Sequence, residues 1–174
     1  MKILITYATK TGTARSIAER IQARIIAAGA GSAIIEPVEA RPSVDDFDAI
    51  IIGSCIHTGS WIKQGKKFVT KHATALHDNP KPTWAFSVGM PPENKFETEE
   101  KDVGDWLSKR IRIQGHKLFW GRVAKEDMGG CFNFFFTCFG LKYEDKRDWA
   151  AMDEWADGIS ESLKTEQQRL GTVA

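Results

Sequence analysis

The sequence predicts an α/β domain, a doubly wound sheet of five parallel strands with helices on both faces. Three observations carry that prediction. Short β-branched runs alternate with longer segments whose apolar residues recur at helical spacing, and this alternation repeats along the whole chain. The short runs are continuously apolar, as suits strands covered on both faces, and parallel neighbours then require right-handed crossovers. A length of 174 residues, 42% apolar and 27% charged, is one globular domain of ordinary composition, large enough to bury its own core without staples.

The elements follow in order. Residues 2–7, Lys2-Ile3-Leu4-Ile5-Thr6-Tyr7, predict the first strand. Residues 14–28 predict a helix in which Ile17, Ile21 and Ile25 recur every fourth position, ended by Gly29-Ala30-Gly31. Residues 32–38 form a short second strand, and Asp45-Asp46-Phe47-Asp48 leads into a third at 49–53 with three consecutive isoleucines. Residues 62–76 read as a helix with Phe68, Val69, His72, Ala73 and Leu76 inward; Pro80-Lys81-Pro82 breaks it before strand four at 83–88. Pro91 and Pro92 cannot join a ladder, so 90–95 is a loop. Residues 97–112 carry Val103, Trp106, Leu107 and Ile111 on one helical face, and 117–123 predict strand five. The last helix, 149–163, lines up Trp149, Met152, Trp155, Ala156, Ile159 and Leu163, with Asp148 placed to cap it. Residues 1–164 are read as the domain and 165–174 as a polar tail that frays.

Lys and Arg number 24 against 23 Asp and Glu, a net charge of +1, so nothing in the balance calls for a nucleic-acid partner. The longest nearly uncharged apolar stretch, 128–141, is shorter than the roughly 20 residues a membrane span needs. The amino terminus turns polar before a signal-peptide core could form. Three cysteines, Cys55, Cys131 and Cys138, are an odd number, and Cys131 and Cys138 on a helix would lie about 10 Å apart along its axis, too far to bridge. The four histidines never fall at metal-binding spacing, so no metal is expected. These features imply a reduced, cytoplasmic location.

In an open parallel sheet the ligand sits beyond the carboxyl ends of the strands, where strand order reverses. The loops to inspect follow Tyr7, Gly53 and Val88. The first, Ala8-Thr9-Lys10-Thr11-Gly12-Thr13, brings three hydroxyls, a glycine and free backbone N–H groups to a helix amino terminus. That is an anion site suited to a phosphate monoester held by dipoles, although a Thr-rich cap with nothing bound has the same composition. No G-x-G-x-x-G follows the first strand, and Gly59 to Gly65-Lys66-Lys67 has one residue too many for a Walker loop. The second loop, Gly53-Ser54-Cys55-Ile56-His57-Thr58-Gly59-Ser60-Trp61, offers peptide edges and an aromatic for a flat heteroaromatic ring; Trp61 either stacks on that ring or caps the core. The third, Ser87-Val88-Gly89-Met90, is placed to close over the ring's other edge.

The run Tyr7-Ala8-Thr9-Lys10-Thr11-Gly12-Thr13 resembles the FMN phosphate loop of the flavodoxin superfamily. Within it, Ile51-Ile52-Gly53-Ser54-Cys55-Ile56-His57-Thr58-Gly59, Phe68-Val69-Thr70-Lys71-His72-Ala73 and Lys146-Arg147-Asp148-Trp149 resemble the flavodoxin-domain family that includes menaquinone-dependent protoporphyrinogen oxidases. The resemblance implies a flavodoxin-like fold with strand order 2-1-3-4-5 and bound FMN. It implies cofactor contacts from Thr9, Lys10, Thr11, Gly12 and Thr13, from Ser54, Cys55, Ile56, His57, Thr58, Gly59 and Trp61, and from Ser87, Val88, Gly89 and Met90. Two departures stand out. Ala14 occupies a position where such phosphate loops commonly carry Ser or Thr, a loss Lys10 is placed to compensate. The insertion after strand five, strongly basic in the quinone-linked oxidases, here carries Phe132, Phe134, Phe135, Phe136 and Phe139 with little positive charge.

That phenylalanine cluster is either core packed on the sheet edge, an apolar wall over the flavin, or a contact for a partner or peripheral membrane surface. As a wall, Phe135, Phe136 and Phe139 are the expected substrate contacts. The implied activity is an FMN-dependent oxidoreductase for an apolar small molecule, protoporphyrinogen-like or quinone-linked. The reacting atom is then flavin N5, and His57 is the one titratable side chain in the flavin loops. The alternative is a flavodoxin-type electron-transfer protein, although such shuttles tend to be strongly acidic. A quinone, a redox partner and a homodimer all remain open as partners.

Overall fold

The computed structural model describes residues 1–78, 81–124 and 143–172, with side chains described through 169. The insertion's Cys131, Phe132, Phe135, Phe136, Cys138 and Phe139 lie outside the described residues, so the three readings of the phenylalanine cluster stand as they were.

Five strands form the parallel sheet: β1 (Lys2–Ala8), β2 (Ser32–Pro37), β3 (Ala49–His57), β5 (Thr83–Gly89) and β6 (Gly115–Trp120), in spatial order β2-β1-β3-β5-β6. The two-residue β4 (Ser60–Trp61) folds back on β3 as an antiparallel hairpin. Apart from that hairpin, the order is the 2-1-3-4-5 expected. Among the described residues the α-helices are α1 (Thr13–Ala27), α2 (Lys63–Asp78), α3 (Phe96–Ser108) and α4 (Trp149–Thr172).

Alternation along the strands feeds two cores. Ile3, Ile5 and Ile51 face a layer built from Ile17, Ile21 and Ile25 of α1 and Met152, Ala156, Ile159 and Leu163 of α4. Leu4, Ile50 and Ile52 face the opposite layer, with Phe68, Val69 and Leu76 of α2 and Val103 and Leu107 of α3. This is why the central strands are apolar without interruption: both faces are covered. The helices α1 and α4 are also joined by paired guanidinium–carboxylate contacts, Arg20 with Asp153 at 2.6 Å and Arg24 with Asp157. At partly exposed sites such pairs orient the helices more than they stabilise them.

Two boundaries here, and the placement of one side chain, differ from the sequence expectation. Strand three does not stop at Gly53 but runs on to His57, because Ser54 and Cys55 keep their parallel register with Ser87 and Val88 of β5. Helix α4 does not fray at Lys164; the residues read as a polar tail stay helical through Thr172, with Gln167 Nε2 donating to the Ala30 carbonyl at 3.0 Å. Trp149 is not part of the buried stripe. It is 37% exposed, under the Arg147 guanidinium at 4.7 Å. Asp148 does cap α4, accepting from the Ala151 N–H at 3.0 Å.

Candidate functional site

The chain leaves β1 toward β2 on one side and returns to β3 on the other, so the strand order reverses between β1 and β3. At the carboxyl ends of these strands lies a cleft of about 230 Å³. Lys10, Thr11 and Thr13 line it from the first loop, Cys55, Ile56 and His57 from the end of β3, and Val88, Gly89 and Met90 from the end of β5. Nine expected contact residues, far apart in sequence, thus meet at one place.

The first loop is built around Gly12, which is the N-cap of α1 and has φ +84°, a left-handed conformation that favours glycine. No side chain caps the helix, so the N–H groups of its first turn point toward the loop without a side-chain acceptor. A Cβ built on Gly12 meets nothing within 4 Å, which leaves open space beside those donors. Thr9 Oγ1 accepts from the Gly12 N–H at 3.0 Å and holds the turn, while the Thr11 and Thr13 hydroxyls approach to 3.4 Å. Uncapped N–H groups, the positive end of the helix dipole and paired hydroxyls form the donor set a phosphate monoester requires. Ala14 is fully buried under this turn and contributes its backbone alone.

The second segment is a hairpin, not an open loop. Thr58 and Gly59 both have positive φ, 50° and 72°, the two-residue turn that matches strand twist. Ile56 pairs with Trp61 and His57 with Ser60, and Lys66 Nζ donates to Ser60 Oγ at 3.2 Å from the first turns of α2. The hairpin carries Thr58 and Gly59 to its exposed tip and leaves His57 exposed at the cleft rim. Thr9 Oγ1 and Cys55 Sγ, 3.7 Å apart, tie the first loop to β3.

Three expected contact residues point elsewhere. The Ser54 side chain is buried, its Oγ donating to the Cys55 carbonyl at 3.0 Å, beside the face of Gly65. Trp61 is 2% exposed and its ring lies in the α2–α3 core, tilted against Trp106 at 6.1 Å, so it caps the core and does not stack on a ring in the cleft. Its indole N–H donates to Ser87 Oγ at 2.7 Å, and Ser87, fully buried, lies 2.7 Å from His116 Nε2. Because Ser87 accepts from Trp61, its own hydrogen goes to a neutral His116 Nε2. Burial pushes His116 down to about 4, only partly offset by the nearby Glu100 carboxylate and main chain, so neutral imidazole is the form this chain of bonds needs.

Four lining residues were not legible as such in the sequence: Ile62, just before α2, and Gly121, Arg122 and Val123 just past β6. The same rule about strand ends points to the latter three, since they follow a fifth parallel strand, but the reading of 117–123 as one strand hid the break. The Gly121 N–H donates to the Gly89 carbonyl at 2.9 Å, which bends the chain over the cleft before β7 (Arg122–Val123) pairs with β8 (Glu144–Asp145). From that ribbon Arg147 reaches α1, its Nη1 donating to Ser16 Oγ at 3.1 Å while Asp145 takes its Nε at 2.8 Å. Among the described residues no helix is long and apolar enough to cross a membrane, and no cluster of acidic, His or Cys side chains could hold a metal.

Comparison with known proteins agrees with this geometry. The chain is 31% identical over 98 residues, 55% of its length, to protoporphyrinogen IX dehydrogenase [quinone] of Escherichia coli K12, and the match spans 54% of that protein, about half of the curated relative's length. Among solved structures, flavodoxin 2 from Bacillus cereus superposes with a TM-score of 0.62 at 20% identity, covering 93% of this chain and 99% of that one. Rubredoxin oxygen:oxidoreductase from Desulfovibrio gigas superposes with a TM-score of 0.64 at 14% identity, covering 95% of this chain and 37% of that one. The profile of the flavodoxin domain family matches residues 4–132. With the fold, the reversal point and the phosphate-type donor set in agreement, the chain belongs to the flavodoxin domain family and is an FMN-binding flavoprotein.

Proposed function

We propose that FMN lies in this cleft with its phosphate on the 9–13 loop and its ring between Cys55, Ile56 and His57 on one side and Val88, Gly89 and Met90 on the other. The loaded protein is then a cytoplasmic oxidoreductase that moves two electrons to or from an apolar small molecule, protoporphyrinogen-like or quinone-linked. The observation that supports this reading most is one cleft joining an uncapped helix terminus to an apolar flank of Ile56, Ile62, Val88 and Met90. An anionic tail and a flat ring on one cofactor need that pairing of surfaces. The similarity to a quinone-linked protoporphyrinogen dehydrogenase supports the choice of substrate class.

FMN, when bound, supplies the redox chemistry at N5 of its ring. The chain's own residues do the rest. The first-turn N–H groups of α1 with Thr11 and Thr13 hold the anionic end, and the backbone edges of 55–57 and 88–90 present donors and acceptors to the ring's rim. Ile56, Ile62, Val88 and Met90 keep that flank dry. His57, exposed at the rim, is the one imidazole lining the cleft and lies in reach of an incoming substrate.

The test is anaerobic oxidation of protoporphyrinogen IX by the FMN-loaded protein with a menaquinone analogue as acceptor. Catalytic turnover with stoichiometric quinone reduction is expected. Bound FMN that exchanges single electrons with redox partners but shows no turnover of either compound overturns the reading in favour of an electron-transfer protein.

A further inference from the structure

Among the described residues a second cavity, larger than the FMN cleft, lies on the other side of β1 and β3 from α1. It has a volume of about 570 Å³, lies between the turn after β2 and the exposed side of α2, and shares no lining residue with the cleft. Its size is that of a small-molecule site. Val38 and Phe68, both nearly buried, are its apolar lining, and Arg41, Lys67 and Lys71 stand around it with Glu39 as the one carboxylate. Lys67 and Lys71 are four residues apart on α2 and so share one helical face. Among the described residues, the side chains of Arg41, Lys67 and Lys71 make no hydrogen bond or ion pair. Three cations that make no ion pair, against one carboxylate, around an apolar hollow in a protein whose net charge is only +1 mark a local excess of positive potential.

Arg41 adds an independent observation. It ends the short helical turn 38–40 with φ 58° and ψ 48°, a left-handed conformation that an arginine adopts at a cost and a glycine does not. Its N–H bonds to the Val38 carbonyl at 3.1 Å, which fixes the backbone of Arg41 at the edge of the cavity that it lines. The strained backbone has no use in the fold that glycine would not serve better; what arginine adds is the cation.

We propose that this cavity is a second ligand site, distinct from the FMN cleft, for an organic anion: a carboxylate, sulfonate or phosphate carried on an apolar body. The body lies on Val38 and Phe68, and the charged group sits between Lys67, Lys71 and Arg41, with Arg available for two-point contact.

The experiment uses the full-length, FMN-loaded protein and titration calorimetry with 8-anilinonaphthalene-1-sulfonate, against N-phenyl-1-naphthylamine, which has the same rings without the sulfonate. One sulfonate probe per chain is expected, with affinity falling at least about tenfold in K67Q/K71Q and falling as salt rises. The variant Arg41→Gly should lose affinity as well while its melting temperature holds or rises, because glycine relieves the left-handed strain. The visible flavin spectrum should be unchanged throughout. Equal affinity in wild type and K67Q/K71Q, or equal binding of the neutral amine, overturns the proposal. So does displacement of FMN by the probe, which would place it in the cleft.

Discussion

His116 shows how one residue ties the cleft to the core. Its neutral ring accepts from Ser87, and Ser87 accepts from Trp61, the residue that closes the β3–β4 hairpin. A proton on Nε2 would reverse the Ser87 bond and leave the serine hydrogen without an acceptor in a buried place. The folded protein holds His116 at about 4, below the ordinary 6.5, so the unfolded chain binds the extra proton across that range. Stability from this site is therefore complete above pH 6.5 and lost as pH falls toward 4, by about 3 kcal/mol. Asp145 and Asp153, held below the usual carboxylate range by hydrogen bonds from Arg147 and Arg20, lose their contributions in more acid solution. His116→Gln keeps an acceptor toward Ser87 but does not titrate, and the carboxylates cancel in the comparison. Chemical denaturation at pH 7 and pH 4.5 should show a larger loss in wild type than in the variant; parallel losses would mean that His116 is not neutral in the folded state.

At the scale of elements, β3 decides the site, and it is where sequence and structure diverge most. Gly53 looks like a strand end, yet it is a mid-strand contact: a Cβ there would meet the Phe86 ring at 2.0 Å, across the pairing of Gly53 with Phe86. Phe86 in turn packs against Phe119 at 6.5 Å and against the edge of Trp155 at 6.3 Å. Gly53→Ala should therefore destabilise the domain by about 1–3 kcal/mol or more and weaken FMN binding, since Cys55, Ile56 and His57 follow in the same strand. Adding Phe86→Leu should recover part of both losses, which a double-mutant cycle of urea midpoints measures; additive losses would mean that the ring and residue 53 do not meet. The periodic elements were legible because burial on both faces imprints continuous apolar runs on β1, β3 and β5, and a single stripe on α4. What was not legible depends on partners distant in sequence. Glycine as a terminator and glycine as room for a ring look alike until Phe86 is placed opposite. Trp61 likewise fits stacking or core until Ser87 and Trp106 are found beside it. The first loop was legible for the opposite reason: its hydroxyls, glycine and helix start are contiguous, so no distant partner is needed to recognise an anion site.

At the scale of the whole molecule, the charge is evenly balanced, and the FMN cleft and the cavity beside α2 share no lining residue on one sheet scaffold. The β7–β8 ribbon, Arg122 with Asp145 and Val123 with Glu144, stands beside the cleft that Arg122 and Val123 line. FMN in the cleft, with its phosphate on the 9–13 loop, accounts for both the uncapped start of α1 and the apolar flank. The most direct measurement compares FMN with riboflavin, which has the same ring and no phosphate, in wild type and in Thr11→Ala/Thr13→Ala. Each hydrogen bond to the phosphate should contribute about 1.5–3 kcal/mol, so wild type should prefer FMN strongly, and the double variant should lose at least about tenfold in FMN affinity with riboflavin affinity unchanged. Equal loss for both ligands, or no loss for either, would contradict the placement of the phosphate on this loop.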